Sequence, residues 1–237
     1  MIEVNAVGYD DDQLYDRALE IALELGFELS NKILPRLLLT QQGLALKTAN
    51  FSLLYPEFHA PFWNKRRQEG KKQGLIRACK PAPGLKIMDA TAGWGRDAAI
   101  LASFGAEVLM LERNPVMAAL IQEGLQRPPA AQRLPLTFRA VDSLSYLQNI
   151  SLENYPDIIY IDPMHPQRSK SALVKKDMQV LQQLIGTDHD AAALIELARS
   201  RCKNRVVVKW PAQEPTLIQT ADFIAGKTVR FDIYKAS

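Results

Sequence analysis

The feature that most limits how this chain can fold is Leu85-Lys86-Ile87-Met88-Asp89-Ala90-Thr91-Ala92-Gly93-Trp94-Gly95-Arg96-Asp97, where an apolar run meets an acid, then two glycines, then a helical pattern. It reads as strand, tight loop and helix N-terminus. Gly93 and Gly95 remove Cβ atoms where the backbone turns sharply and approaches a ligand. Asp97 suits an N-cap or first-turn acid for a helix over 98–104, which Gly105 ends. With Asp89, Thr91, Gly93 and Gly95 at the carboxyl end of a first strand, free amide N–H groups and a helix N-terminus face a crevice, as in nucleotide-class binding sites.

The next strand narrows the ligand. Ala106 to Leu111 runs into Glu112, nineteen residues after Gly93, where an acid at a strand tip can accept both hydroxyls of an adenosine ribose. A dinucleotide fingerprint would place a third glycine where Ala98 stands, and Asp89 would face a pyrophosphate badly. An acid there suits a cation such as the ammonium and sulfonium of S-adenosyl-L-methionine (SAM).

At 237 residues the natural division is one core domain with a smaller appendage, 61–237 and 1–60. An apolar content of 47% with 23% charge describes an ordinary globule with ample core, and no apolar run approaches the ~20 residues of a membrane span. The start, Met1 to Asn5, has no signal-like pattern, so the expectation is a cytoplasmic protein. Cys79 and Cys202 are isolated, without metal spacing, and read as buried thiols. No metal is called for. The net charge of +3 permits a polyanion partner without requiring one, so clustering of charge matters more than its total.

Residues 2–47 read as an α+β unit: a strand over Ile2 to Ala6, a helix with Leu14, Ala18, Ile21, Ala22 and Leu25 on one face ending at Gly26, and a hairpin of 36–40 and 44–47 around Gln41-Gln42-Gly43. The aromatic stretch Phe51, Tyr55, Phe58, Phe62 and Trp63 is either a seam between domains or a base-stacking surface. Lys65, Arg66, Arg67, Lys71, Lys72, Arg77 and Lys80 then stand against one acid, Glu69; they form a solvated helix face or a phosphate-facing surface.

From Leu85 strands alternate with helices, which implies a mostly parallel sheet covered on both faces. A helix over 116–126 and a third strand over 136–140 lead to Asp142-Ser143, a helix cap or a contact for an adenine amino group. The fourth strand, 157–161, runs into Asp162-Pro163-Met164-His165-Pro166. A carboxylate followed by a rigid proline offers the Asp162 side chain and the Pro163 carbonyl to one small target, and two acceptors can hold the two hydrogens of an exocyclic base amine. Arg168, Lys170, Lys175 and Lys176 follow within nine residues, as a rim that could meet phosphates. A helix over 191–198, a buried fifth strand over 205–209 and a terminal hairpin of 222–225 and 229–234 across Gly226 complete the chain. Of His59, His165 and His189 only His165 adjoins a site, and no partner acid or nucleophile makes it part of a triad.

With those residues in view, the chain resembles the class I SAM-dependent methyltransferases, and more closely the RsmJ (YhiQ) family, bacterial methyltransferases of a guanine N2 in 16S ribosomal RNA. The likeness is carried by 89–97, by Leu111-Glu112-Arg113-Asn114-Pro115, by Asp162-Pro163-Met164 with 170–176, by 206–209 and by Arg230-Phe231-Asp232-Ile233-Tyr234. It implies a Rossmann-like, mostly parallel seven-stranded sheet. It implies also that Arg96, Asp97, Glu112, Arg113, Asp142, Ser143 and Asp162 line the cofactor site, with Asp162 and Pro163 receiving the target amine. His165 stands where the family commonly has an aromatic, so stacking on the base would fall to an imidazole. The loop before residue 75 is richer in lysine and poorer in glycine than the family pattern.

The reading is therefore a guanine-N2 methyltransferase of 16S ribosomal RNA or the small subunit, using SAM and releasing S-adenosyl-L-homocysteine, with Lys65, Arg66, Arg67, Lys71, Lys72, His165, Arg168, Lys170, Lys175 and Lys176 toward RNA, and with no membrane or obligate protein partner. Its rivals are an adenine-N6 or cytosine-N4 methyltransferase, since an acid-proline pair serves any exocyclic amine, and a non-catalytic RNA-binding assembly factor. A nicotinamide dehydrogenase is disfavoured by Ala98.

Overall fold

The computed structural model describes residues 3–165, 176–220 and 222–237. Near the N-terminus β1 (Ala6–Tyr9) passes through α1 (Tyr15–Leu25) to β2 (Glu28–Leu29), and β3 (Arg36–Thr40) turns back as β4 (Gly43–Lys47). These four strands form one sheet in the order β2-β1-β3-β4. Helix α1 buries Ala18, Ile21 and Ala22 and ends on Gly26 at φ 68, the left-handed conformation that glycine adopts without a Cβ penalty. The hairpin lies where its turn residues put it, with Thr40 opposite Gly43. The first strand does not: it begins at Ala6, because Val7, Gly8 and Tyr9 are the residues in register with Leu37, Leu38 and Leu39 of β3.

The chain then passes through α2 (Ala60–Glu69) and α3 (Gly74–Cys79) into the large sheet. In order these elements are β5 (Lys86–Asp89), α4 (Arg96–Ser103), β6 (Glu107–Glu112), α5 (Pro115–Gly124), β7 (Leu136–Ala140), α6 (Ser143–Asn149) and β8 (Ile158–Ile161). They continue through α7 (Lys176–Ile185), α8 (Ala191–Arg199) and β9 (Arg205–Pro211) to the terminal hairpin β10 (Asp222–Ile224) and β11 (Val229–Lys235). The seven strands lie in the order β10-β11-β9-β8-β5-β6-β7; β5 to β9 run parallel, and β11 is antiparallel to both its neighbours. The chain leaves β5 toward β6 and β7, then returns to the other side of β5 with β8. That reversal opens a crevice at the carboxyl ends of β5 and β8, where ligands bind in such sheets.

Alternation along the central strands explains why they read as unbroken apolar runs. Ile158 and Tyr160 of β8 enter the cluster under α3 and α4, whereas Ile159 and Ile161 enter the cluster under α6 and α8, so both faces are covered. A third cluster joins the small sheet and α1 to α5 through Val116, Met117 and Leu120, to α7 through Val180 and Leu184, and to Trp94 of the glycine loop. Of the aromatic stretch, Phe51, Tyr55, Phe58 and Trp63 lie in these seams, and the Phe62 side chain is outside the described residues. Phe58 and Trp63 are buried in the main core, Phe51 packs on the small one, and the Tyr55 hydroxyl lies 3.1 Å from that of Thr40 with Arg127 over its ring. The buried Phe58 and Trp63 rings are committed to packing and do not offer a base-stacking surface. Cys79 and Cys202 are buried free thiols, and burial pushes the Cys202 thiol up to about 11. Among the described residues no helix is long and apolar enough to cross a membrane.

Candidate active site

The loop after β5 is held by its own hydrogen bonds. The Thr91 amide donates to Asp89 Oδ1 (3.1 Å), that of Ala92 to the Leu111 carbonyl (3.1 Å), that of Gly93 to Glu112 Oε2 (3.0 Å) and that of Gly95 to the Ala92 carbonyl (2.7 Å). The expectation of free amides facing the crevice is therefore corrected: these four N–H groups are spent inside the protein, and they make no cradle for a pyrophosphate. Gly93 and Gly95 adopt φ 53 and φ 69. The close approach at Gly95 is to protein and not to ligand, since a Cβ there would stand 2.6 Å from the buried Phe58 ring. Trp94 between them is anchored in the cluster beneath the small sheet, so the loop cannot shift without disturbing that core.

A cleft enclosing about 550 Å³, the open solvent at its mouth included, lies at the strand tips. Thr91, Gly93, Glu112, Arg113, Asp142, Ser143, Asp162 and Pro163 all line it, so eight residues from four separate stretches of sequence meet on one wall. Glu112 is buried at the tip of β6, with Oε2 on Gly93 and Oε1 accepting from the Asn114 amide (2.8 Å). Asp142 caps α6 by accepting from the Ser145 amide (2.9 Å), and Ser143 Oγ donates to the Ala90 carbonyl (2.6 Å). Asp142 thus does what a helix cap does while its side chain also borders the cleft.

Sequence reasoning missed the loop between α7 and α8. Arg113 is bound to Asp188 and, at 2.6 Å, to Asp190, with Asp142 at 3.5 Å. Asp188 also accepts from the Met164 amide (2.8 Å) and returns its own amide to the Met164 carbonyl (2.9 Å). One arginine and one aspartate thereby fasten the tips of β6, β7 and β8 to a single strap. Among the described residues the lining carries five carboxylates, Glu112, Asp142, Asp162, Asp188 and Asp190, against Arg113, a field that suits a ligand with positive charge.

Asp89, Gly95, Arg96 and Asp97 stand outside that lining. Asp89 is buried, and burial pushes its carboxyl up to about 8, with Asp97, Asp162 and Glu112 adding to the shift. Arg96 is half-buried in the first turn of α4. Asp97, in the same turn, caps nothing; it accepts from Arg66 (3.0 Å), the Tyr160 hydroxyl (2.7 Å) and Lys209 Nζ (3.1 Å). Burial works against its charge, but Lys209 and Arg66 hold the carboxyl well below the usual range. Asp162 is reached from two sides: its amide donates to Thr91 Oγ1 (2.6 Å), and its Oδ2 accepts from Lys209 Nζ (2.6 Å). Lys209 was not among the expected site residues. Burial raises the Asp162 carboxyl and Lys209 opposes the rise.

The basic residues divide. Arg67, Lys72, Arg77 and Lys80 are exposed. Arg66 is turned inward to Asp97 and to Gln73 Oε1 (3.1 Å), so it serves the protein where a phosphate contact was expected. Lys65 lies on α2, Lys71 in the 3₁₀ turn after it, and Lys176 opens α7. Arg168, Lys170 and Lys175 lie outside the described residues. The His165 ring sits edge-on to Trp210, with centroids 5.9 Å apart.

Comparison with known proteins gives the family and the fold. A family model for SAM-dependent methyltransferases matches residues 20–236. The chain is 57% identical over 236 residues to ribosomal RNA small subunit methyltransferase J of Legionella pneumophila (strain Lens), covering 99% of this chain and 97% of that protein. It is 36% identical to the protein of the same name from Nitrosococcus oceani, covering 96% and 97%. The crystal structure of a SAM-dependent methyltransferase from Neisseria gonorrhoeae superposes with a TM-score of 0.73 at 24% identity, covering 98% of this chain and 96% of that one, so the Rossmann-like class I fold is shared throughout. The chain belongs to the ribosomal RNA small subunit methyltransferase J family of SAM-dependent methyltransferases.

Proposed function

We propose that the chain methylates the exocyclic N2 of a guanine in 16S ribosomal RNA, acting in the cytoplasm on the RNA or the assembling small subunit. The observation that carries this reading is Asp162 at the mouth of an acid-lined cleft, with Pro163 beside it and Met164 bolted to Asp188. SAM, when bound, supplies a methyl group on a sulfonium centre open to attack by an amine lone pair.

The residues present fit such a cofactor. Glu112, fixed by two amides, offers its remaining lone pairs to ribose hydroxyls, and the surplus of carboxylates favours the sulfonium and ammonium charges. Asp162, with Oδ2 taken by Lys209, keeps Oδ1 to accept one hydrogen of the target amine, and the Pro163 carbonyl accepts the other. Two fixed acceptors set the direction of the nitrogen lone pair, which is otherwise delocalised into the ring. As the nitrogen gains positive charge, the Asp162 carboxylate stabilises it and takes up the departing proton at Oδ1. Orientation and charge stabilisation of this kind contribute about 10²–10³ in rate.

Exposed Arg67, Lys72, Arg77 and Lys80, together with Lys65, Lys71, Arg168, Lys170, Lys175 and Lys176, would supply general affinity for phosphates. The test is to incubate the protein and methyl-labelled SAM with small subunits lacking the modification, digest the RNA and identify the labelled nucleoside. N2-methylguanosine is expected. A label on adenine N6 or cytosine N4, or no label in RNA at all, would overturn the assignment.

A further inference from the structure

Behind Asp162 runs a chain of charges, Lys209, Asp97 and Arg66, whose purpose the reaction above leaves unexplained. Lys209 closes the apolar run Val206-Val207-Val208 of β9, and its Nζ lies between two carboxylates, 2.6 Å from Asp162 Oδ2 and 3.1 Å from Asp97 Oδ2. Asp97 is further tied to Tyr160 and to Arg66. The Lys209 side chain is 27% exposed and that of Asp97 15%. Charges withdrawn from water to this degree recover little net stability from pairing, so the arrangement is poorly explained as a device to hold the fold together.

We infer that Lys209 is a positioning residue for methyl transfer, which clamps one oxygen of Asp162 so that the other meets the amine, and keeps that carboxylate ionised. The inference rests on the assignment of Asp162 as the amine acceptor. The groups facing Asp162 are Lys209 from β9, Asp97 from α4, Tyr160 from β8, Asp89 from β5 and His165 from its own loop. Arg66 is bonded to Asp97 and not to Asp162, so it cannot replace the lysine there. Without Lys209 a half-buried Asp162 beside the Asp97 carboxylate takes up a proton at higher pH, and a protonated carboxyl no longer stabilises a nitrogen becoming cationic. The acid limb of the rate profile therefore moves upward.

The experiment measures single-turnover methyl transfer to unmodified small subunits against pH for the parent, Lys209→Met, Lys209→Gln and Lys209→Arg, with S-adenosyl-L-homocysteine binding as the check on fold. Loss of the charge in the Met and Gln variants should raise the acid limb by about 1–3 pH units. Lys209→Arg, which keeps the charge, should hold it within about half a unit. Lys209→Gln retains an N–H donor for Asp162 and serves where the Met variant does not fold. A parental profile in the neutral variants, or a loss equal at every pH, would overturn the inference. Asp162→Asn separates the two claims. If it transfers methyl at the parental rate, the Asp162 assignment fails; if it is impaired while Lys209→Met keeps the parental profile, only the role of Lys209 fails.

Discussion

Glu112 ties the glycine loop to the tip of β6, and replacing it by glutamine separates that structural duty from contact with the cofactor. Its two oxygens accept from Gly93 (3.0 Å) and Asn114 (2.8 Å), and the residue is 6% exposed. Glu112→Gln keeps the volume but puts an NH₂ group where one oxygen stood, so in either orientation a donor faces a backbone donor. The loss is one bond to a charged acceptor and one unsatisfied buried amide, two descriptions of the same contact, worth about 2–3 kcal/mol. For a chain of this size that corresponds to a fall in Tm of roughly 4–12 °C. If the ribose hydroxyls use the same carboxylate, affinity for S-adenosyl-L-homocysteine drops by a further about 1.5–3 kcal/mol, or about 10- to 150-fold. Calorimetric titration well below Tm reads the second effect without the first. Asn114→Ala is the control: it removes the cap of α5, which accepts from Val116 and Met117, at about 0.5–2 kcal/mol without touching the ribose acid. A Kd for Glu112→Gln within twofold of the parent, or an equal weakening by Asn114→Ala, would refute the placing of ribose on Glu112.

Gly95→Ala combines a left-handed φ with a Cβ driven into the Phe58 ring, and should cost about 2–4 kcal/mol, seen as a fall of roughly 4–16 °C in Tm by scanning calorimetry. A fall under about 1 °C would show that the loop relaxes freely, contrary to its anchoring by Trp94. For RNA affinity, neutralising the exposed Arg67 and Lys72 together should flatten the slope of log K against log salt by roughly 1–2 units, whereas Arg66→Ala, already paired with Asp97, should change it by less than about half a unit. Equal effects from the two variants would contradict the inward role of Arg66.

What could be read from the residues was whatever depends on short-range pattern. The run 158–161 shows no alternation because both faces of β8 are covered, and it was legible for that reason. Leu136–Ala140 and the hairpin around Gln41-Gln42 follow from turn residues flanking apolar stretches. Glu112 was legible because a charge ending an apolar strand has few structural uses. Long-range pairing was not. The start of β1 is decided by register against β3, and Gly8 in its middle hides it. The Ala92 and Gly93 amides seemed free because their acceptors, the Leu111 carbonyl and Glu112, lie well along the chain. Arg66 belongs by composition to a basic run and by geometry to Asp97, 31 residues away. Helix α6 buries only Ser143 and Leu147, too little to make a stripe, and the strap acids Asp188 and Asp190 resemble ordinary linker residues until Arg113 is brought to them. Lys209 left a trace: a cation that directly follows the apolar run Val206-Val207-Val208 within β9 is the same kind of signal as Glu112.

The central claim is that Asp162 acts on one amine after the base has arrived. The most direct measurement is the single-turnover rate of methyl transfer from labelled SAM to unmodified small subunits by the parent and by Asp162→Asn, with RNA affinity measured in parallel. The asparagine keeps the size and one acceptor but loses the charge that meets the developing cation, so turnover should fall by about 10²–10³. RNA affinity, which rests on phosphate contacts, should stay within about threefold. Transfer at the parental rate by Asp162→Asn, or a loss of rate that merely tracks a loss of RNA binding, would contradict the account.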